Sequence, residues 1–206
     1  MGFNDFFNHA INEMIDRKVS IILKNSNNIK FGDNENLCSG YFSGSDDQED
    51  CEFCVAVGGE QYESVFVHEY CHFLQWKNKS KIWTGLKTRD ENDFWEWLDK
   101  KKKMSFKRAK RISSEIRDLE EDCERRSVKM IQKWDIDIDI EEYKQKANSY
   151  IFFYTLIPET QEWYAPGNPP YMMQEIMDLM PKTWINDYSV LPDGYRELIL
   201  EYCVEM

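Results

Sequence analysis

The sequence predicts an α+β fold that is mostly helical, with a short N-terminal mixed β-sheet packed beside one buried helix. Apolar residues recur at helical spacing over residues 3–16 and over most of the chain beyond residue 60. Between these regions lie short β-branched and aromatic runs separated by turn residues. The segment 60–77 is apolar on nearly every side, as expected of a helix that other elements cover.

The N-terminal part is predicted to run in the order helix, small sheet, buried helix. An amphipathic helix over residues 3–16 comes first. Candidate strands follow over 18–23, 29–31, 38–43 and 51–57, with loops at 32–36 and 44–50. Gly58 and Gly59 end the last strand and lead into the buried helix.

Helices are predicted for most of the remaining chain. Asn92 can cap a short helix over 93–101, after a polar stretch at 77–89. Ser105 can cap a long helix that ends near residue 134 and has a small or apolar face. Further helices are expected over 141–157, 171–180 and 195–204.

Composition indicates a folded protein with an acidic surface. Of the 206 residues, 42% are apolar and 15% aromatic, and the formal net charge is -12. Such a charge disfavours non-specific binding to nucleic acid or to a membrane. Residues 100–111 hold eight basic side chains and are the one hint of a nucleic-acid partner. The alternative is a solvated helix end whose charges meet acidic groups of the same chain.

The six cysteines do not form a recognisable disulfide framework. Cys51 and Cys54 have C-x-x-C spacing, but no second pair follows at the distance of a zinc ribbon. On a strand these two side chains point to opposite faces, so we expect reduced thiols. The N-terminus lacks the features of a signal peptide, and no apolar run approaches the roughly 20 residues of a membrane span. An intracellular, cytoplasmic protein without membrane partners is expected.

The buried helix carries the pattern His68-Glu69-x-x-His72. Residues i and i+4 lie one turn apart on the same helix face, so both imidazoles can point to one metal ion. Glu69 lies beside them and can reach a water molecule bound to that metal. The alternative is a pair of core histidines bonded to backbone carbonyls.

A catalytic zinc ion needs a third protein ligand and an open position. No further histidine follows His72 at ligand spacing, and His9 is expected to be a surface or boundary residue of the first helix. A carboxylate is therefore favoured. The long helix offers the best candidate, the acidic run Glu120-Glu121-Asp122-Cys123-Glu124. The alternative is that this run is a solvated acidic face.

The two segments together resemble gluzincin metallopeptidases, which include the thermolysin-like and ImmA/IrrE-type proteins. The resemblance covers about 30 residues in two helices. It implies a zincin-like fold, Zn²⁺ as cofactor and Glu120 as the third ligand, with Glu121 or Glu124 as alternatives. It also implies that Cys123 is a small contact between the helices and that Glu124 accepts a hydrogen bond from a metal-bound imidazole. Cys123-Glu124 departs from the Ser/Ala-Asp of the family pattern.

These residues lead to the expectation of a zinc-dependent peptidase with a peptide or protein substrate. Glu69 would be the general base, and Tyr150 and Tyr154 are candidate donors to the oxyanion. Strand 51–57 or strand 38–43 would be the sheet edge that pairs with an extended substrate. The alternatives are a degenerate or structural-zinc protein that acts by binding, or a regulator that cleaves or binds a nucleic-acid-associated protein.

A single domain over residues 1–206 is the simplest partition. It would consist of a helix and sheet over 1–60, the metal-binding helices over 60–134 and a helical C-terminal part over 135–206.

Overall fold

Residues 1–30, 37–45 and 50–204 are described by a computed structural model of the chain. Helices account for 57% of the described residues, and the strands among them form one three-stranded mixed sheet and one two-stranded sheet. The predicted α+β fold, mostly helical with a small N-terminal sheet, is confirmed. Within the described ranges, no helix has both the length and the apolarity to cross a bilayer.

The chain divides into two compact units. The first unit comprises Met1–Ser80 with Cys123–Ile138, and the second comprises Lys81–Asp122 with Asp139–Met206. The single-domain partition stays a prediction.

The first unit begins with helix α1 (Phe3–Asp16), which buries one face of aromatic and aliphatic side chains. Five strands follow: β1 (Ser20–Lys24), β2 (Ile29–Lys30), β3 (Leu37–Cys38), β4 (Gly40–Ser43) and β5 (Glu52–Ala56). The strand predicted over 38–43 is therefore divided between β3 and β4, which belong to different sheets. Phe31, the predicted loop 32–36 and residues 46–49 lie outside the described residues.

Strand β5 lies at the centre of the three-stranded sheet. It pairs in parallel with β1 and antiparallel with β4, in the order β1-β5-β4. Four successive residues of β5, from Phe53 to Ala56, are buried, as expected for a strand covered on both faces. The expectation that 51–57 provides the substrate edge is wrong, because both edges of β5 are already paired. Among the described residues, β4, which covers most of the other candidate strand 38–43, lies at an edge of this sheet.

Helix α2 (Tyr62–Lys77) packs against β4, β5 and α1. Its buried positions surround the helix, which explains the nearly continuous apolar sequence. Phe66 stacks edge-to-face with Phe6 of α1, and its ring centroid is 5.0 Å from that of Phe53 of β5. Glu13 of α1 accepts hydrogen bonds from Tyr70 and Lys77 of α2. These contacts hold α2 between the sheet and the first helix.

Helix α5 (Phe106–Trp134) matches the predicted long helix. The backbone N–H of Arg108 donates to Ser105 Oγ at 3.3 Å, the contact expected of an N-terminal cap. The part of α5 that belongs to the first unit buries a face of small, acidic and aliphatic residues, namely Cys123, Glu124, Ser127, Val128 and Ile131.

The second unit is helical and has its own core. It contains α3 (Lys81–Gly85), α4 (Thr88–Leu98), the first part of α5, α6 (Ile140–Thr160), α7 (Gln174–Met177) and α8 (Tyr195–Tyr202). Its core combines aromatic and aliphatic residues of α4, α5, α6 and α8. Asp139 caps α6, since its carboxylate accepts from the backbone N–H groups of Glu141 and Glu142.

Three helix predictions in this unit are corrected. Helix α4 begins at Thr88, so Asn92 lies within it and does not cap it. Helix α3 lies in the polar stretch 77–89, where no helix is predicted. The helix predicted over 171–180 is a 3-10 turn, Pro170–Met172, followed by the single turn α7, because Met173 between them has an extended backbone.

The basic stretch 100–111 is paired with acidic groups of the same unit. Arg108 contacts Asp90 and Asp93, both on α4, at 2.6 Å. Arg111 contacts Asp90 at 2.8 Å, and Lys102 also pairs with Asp93. The positive charge is therefore partly neutralised within the chain, as the second interpretation of this stretch requires.

Candidate metal centre

The two histidines of α2 point their Nε2 atoms at each other. His68 Nε2 and His72 Nε2 are 3.1 Å apart, and the ring planes meet at 81°. One helical turn separates the residues, so the α-helix itself creates this proximity. His72 is buried, whereas His68 is partly exposed. The pair therefore lies at the margin of the protein interior.

Each imidazole has its other nitrogen next to an oxygen atom. His72 Nδ1 lies 2.8 Å from Gln75 Oε1, and His68 Nδ1 lies 3.2 Å from Glu124 Oε1. An amide oxygen and a carboxylate can only accept hydrogen bonds. Both Nδ1 atoms are therefore the donors.

This arrangement leaves the two Nε2 atoms of neutral rings with lone pairs that face each other. Two lone pairs at 3.1 Å repel unless a cation, either a proton or a metal ion, lies between them. Two imidazole nitrogens bound tetrahedrally to one Zn²⁺ at about 2.0–2.1 Å would be about 3.3 Å apart. The observed separation is close to that value, so the pair fits a metal ion.

Glu69 is next to His68 on α2, and only 7% of its surface is exposed. The edge strand β4 approaches the helix at this point through Gly40. A Cβ atom on Gly40 would lie 2.7 Å from Val65 Cγ1 and 3.0 Å from Glu69 Cγ. The absence of a side chain on Gly40 therefore allows the strand to pack directly over the base of Glu69.

Cys123 of α5 contacts His68. Its Sγ donates to the backbone carbonyl of His68 at 3.2 Å and lies 3.8 Å from His68 Nδ1. Ligand atoms of His68, His72 and Cys123 all lie within 4.8 Å of one another, which makes this a possible metal-binding group among the described residues. The role of this thiol as a small contact between the helices stays a prediction. Its place near both imidazoles adds a possible ligand that the sequence did not indicate.

Cys71 lies beside Cys123 in the interior. It is fully buried. Burial is the main cause that raises the pKa of its thiol, and the neighbouring Cys123 raises this pKa further. A thiol in such surroundings stays protonated and unreactive. Cys71 is therefore part of the packing between α2 and the Cys123 region of α5. All six cysteines are free thiols.

The acidic run of α5 is divided by burial. Glu120 and Glu124 are 9% and 7% exposed, whereas Glu121 and Asp122 are partly exposed. Glu124 is the residue beside His68 Nδ1. Glu120 lies one turn earlier on the same face of α5, and its role as third ligand stays a prediction.

Tyr150 and Tyr154 lie one turn apart on α6, in the second unit, with their hydroxyl oxygens 2.8 Å apart. Burial raises the pKa of Tyr150 well above its ordinary value, and the nearby Tyr154 and Glu120 contribute. The phenol of Tyr150 is therefore protonated at neutral pH. Their role toward an oxyanion stays a prediction.

His9 is placed as a boundary residue on α1. Its side chain is 47% exposed, and its ring lies against Trp134 with centroids 5.0 Å apart.

Gln75 is the site residue that the sequence prediction missed. A lone polar residue one turn after His72 in an apolar helix was the available signal.

The comparisons with known proteins provide no relative: no family model, no curated protein and no solved structure matches this chain. Any function must therefore be argued from the residues of the site.

Proposed function

We propose that this chain is a zinc-dependent peptidase in which His68 and His72 bind the metal ion and Glu69 is the general base. One observation carries the proposal. The two Nε2 atoms face each other at 3.1 Å while each Nδ1 is held by an oxygen atom. Histidine ligands of metals usually donate their second N–H to such an acceptor.

Glu120 is the proposed third ligand. Two histidines and one glutamate form a donor set that is typical of catalytic zinc in peptidases and leaves a position for water. The burial of Glu120 distinguishes it from the more exposed Glu121 and Asp122. Glu124 is less suited to be a ligand, because its carboxylate already lies beside His68 Nδ1.

A bound Zn²⁺ would supply a Lewis acid and a water molecule whose pKa is lowered toward about 7. The residues of the chain perform the proton transfers. The carboxylate of Glu69 accepts a proton from the attacking water and then passes it to the nitrogen of the leaving amine. Glu124 holds the imidazole of His68 in a fixed orientation through its Nδ1 atom.

Strand β4 is the proposed docking edge for an extended peptide. It is one of the two edge strands of the sheet that the described residues form, and Gly40 brings its backbone against Val65 and Glu69 of α2. A peptide that adds to a strand edge is held by main-chain hydrogen bonds. Such binding accepts many side chains, so the site would act on unfolded segments of peptides or proteins.

A second candidate function is metal-dependent binding without catalysis. It is favoured by Cys123, because ligand atoms of Cys123, His68 and His72 all lie within 4.8 Å of one another. If the thiolate completed a closed set of ligands, the metal would stabilise the fold and leave no position for water. The protein would then act through its surface.

Hydrolysis of an unstructured peptide library, followed by mass spectrometry, separates these functions. The zinc-loaded wild type is expected to cleave, and Glu69→Gln is expected to retain zinc but lose about 10²–10⁴-fold in rate. Glu63→Gln is the matched control, since Glu63 lies in the first turn of the same helix. Undiminished cleavage by Glu69→Gln would refute the general-base role. Zinc binding without any cleavage by the wild type would support the binding function.

A further inference from the structure

Gln75 is a fully buried polar residue on the metal-binding helix. It has 0% of its surface exposed, and its Oε1 lies 2.8 Å from His72 Nδ1. Burying an amide costs free energy unless its polar atoms are bonded. A residue that merely filled this position could be apolar, as Phe73 and Trp76 beside it are. The amide oxygen makes a contact with His72 that an apolar side chain could not make.

The two rings of the centre are supported by different chemical groups. His68 faces the carboxylate of Glu124, which comes from α5. His72 faces a neutral amide from the next turn of its own helix. The His72 support is local, because a residue at i+3 meets its neighbour as soon as the helix forms.

We propose that Gln75 is a positioning residue that sets the tautomer and ring orientation of His72. Its carbonyl oxygen accepts the Nδ1–H, so the Nε2 lone pair is directed toward the metal position beside His68 Nε2. The consequence for metal binding rests on the proposed function. The neutral amide adds no charge, so of the two supporting groups only Glu124 brings a carboxylate to the centre.

The ¹⁵N chemical shifts of the imidazole nitrogens test this role directly. The full-length, metal-free wild type is measured at a pH above the ordinary pKa of histidine. His72 is expected to carry its proton on Nδ1. Gln75→Leu keeps the approximate volume but removes the acceptor, and it is expected to move the proton toward Nε2. Gln75→Glu restores an acceptor and is expected to restore the Nδ1–H tautomer.

Zinc affinity, measured by competition with a chromophoric chelator, is the second readout. Gln75→Leu is expected to weaken binding about 10–100-fold, and Gln75→Glu to recover it. Gln145→Leu is the control, since Gln145 is a helix glutamine whose amide donates to the carbonyls of Met177 and Met180. It is expected to change neither the tautomer of His72 nor the affinity.

The outcomes separate this role from the proposed function. A wild type with the His72 proton on Nε2 would overturn the role of Gln75, and this result needs no variant to fold. A Gln75→Leu protein with unchanged tautomer and affinity would overturn it as well. If the wild type binds no zinc, the proposed function fails, while the tautomer in the same metal-free sample still supports or overturns the role of Gln75.

Discussion

Glu124 of α5 reaches the imidazole of His68 on α2, with its Oε1 3.2 Å from Nδ1. Both side chains are largely buried, at 9% and 15% exposure, so water screens their interaction only weakly. A carboxylate at Nδ1 fixes the ring and raises the basicity of the opposite nitrogen. The contact joins a residue far along the chain to the first histidine of the candidate centre.

Glu124→Ala is expected to lower zinc affinity about 10–100-fold, because His68 loses the acceptor that orients it. Competition with a chromophoric chelator measures the change. Asp122→Ala is the control, since Asp122 is a partly exposed neighbour on the same helix. Equal affinity of the Glu124→Ala protein and the wild type would contradict a supporting role for this carboxylate.

The third ligand is tested by comparing Glu120→Gln with Cys123→Ala. Glu120→Gln is expected to weaken zinc binding strongly, whereas Cys123→Ala keeps a small residue at the helix contact and is expected to retain the metal. Substitution with Co²⁺ gives an independent signal, because a thiolate ligand produces an intense near-ultraviolet charge-transfer band. We expect no such band. Its presence, and its loss in Cys123→Ala, would make the thiolate a ligand and favour the binding function.

Gly40→Ala tests the close approach of β4 to α2. The added methyl group would lie 2.7 Å from Val65 Cγ1, 3.0 Å from Glu69 Cγ and 3.3 Å from the Cys54 carbonyl oxygen. These neighbours must move, so we expect a loss of about 1–3 kcal/mol in unfolding free energy together with reduced hydrolysis. Gly59→Ala is the control, because its nearest contact would be at 3.8 Å. Chemical denaturation that shows equal losses for both variants would argue against this packing.

Asp90 provides a pH-dependent contribution to stability. A hydrogen bond from Arg108, which has the largest effect, and a second one from Arg111 hold the pKa of its carboxyl at about 2, below its ordinary 3.8. Since the folded-state pKa is the lower one, the contribution is present above the unfolded pKa and is lost as the pH falls from about 3.8 to about 2. Asp90→Asn is therefore expected to be less stable than the wild type at neutral pH, with a difference that shrinks across this window.

Urea denaturation at a series of pH values measures that difference. Asp118→Asn is a suitable control, because Asp118 is about half exposed and pairs with its chain neighbour Arg117. The compared quantity is the free energy of unfolding of Asp90→Asn and of the wild type. If their difference stays constant from neutral pH down to about 2, these ion pairs do not stabilise the fold.

The elements that could be predicted from the sequence are those with strong local periodicity. Helix α1 and the long helix α5 follow apolar spacing, and Ser105 identifies the start of α5 by its capping chemistry. The proximity of His68 and His72 follows from the geometry of a single helix turn. Such features depend on neighbours in the chain and need no knowledge of the tertiary structure.

The parts that could not be predicted depend on distant pairing. Strand β5 is central because it also pairs in parallel with β1. The residues of β5 contain no local pattern that indicates this partner. The contact between Cys123 and His68 likewise requires the packing of α5 on α2. Gln75 differs, since its i+3 relation to His72 was available in the sequence. A pattern limited to two histidines and one glutamate does not include it.

Zinc analysis of the purified protein tests the central claim most directly. The wild type is dialysed against buffered trace zinc and its metal content is measured beside His68→Ala, His72→Ala and the control His9→Ala. We expect stoichiometric zinc in the wild type and in His9→Ala, and loss of zinc in the other two variants with the fold retained by circular dichroism. A wild type that binds no zinc, or a zinc content that is unchanged in both His68→Ala and His72→Ala, would contradict the account.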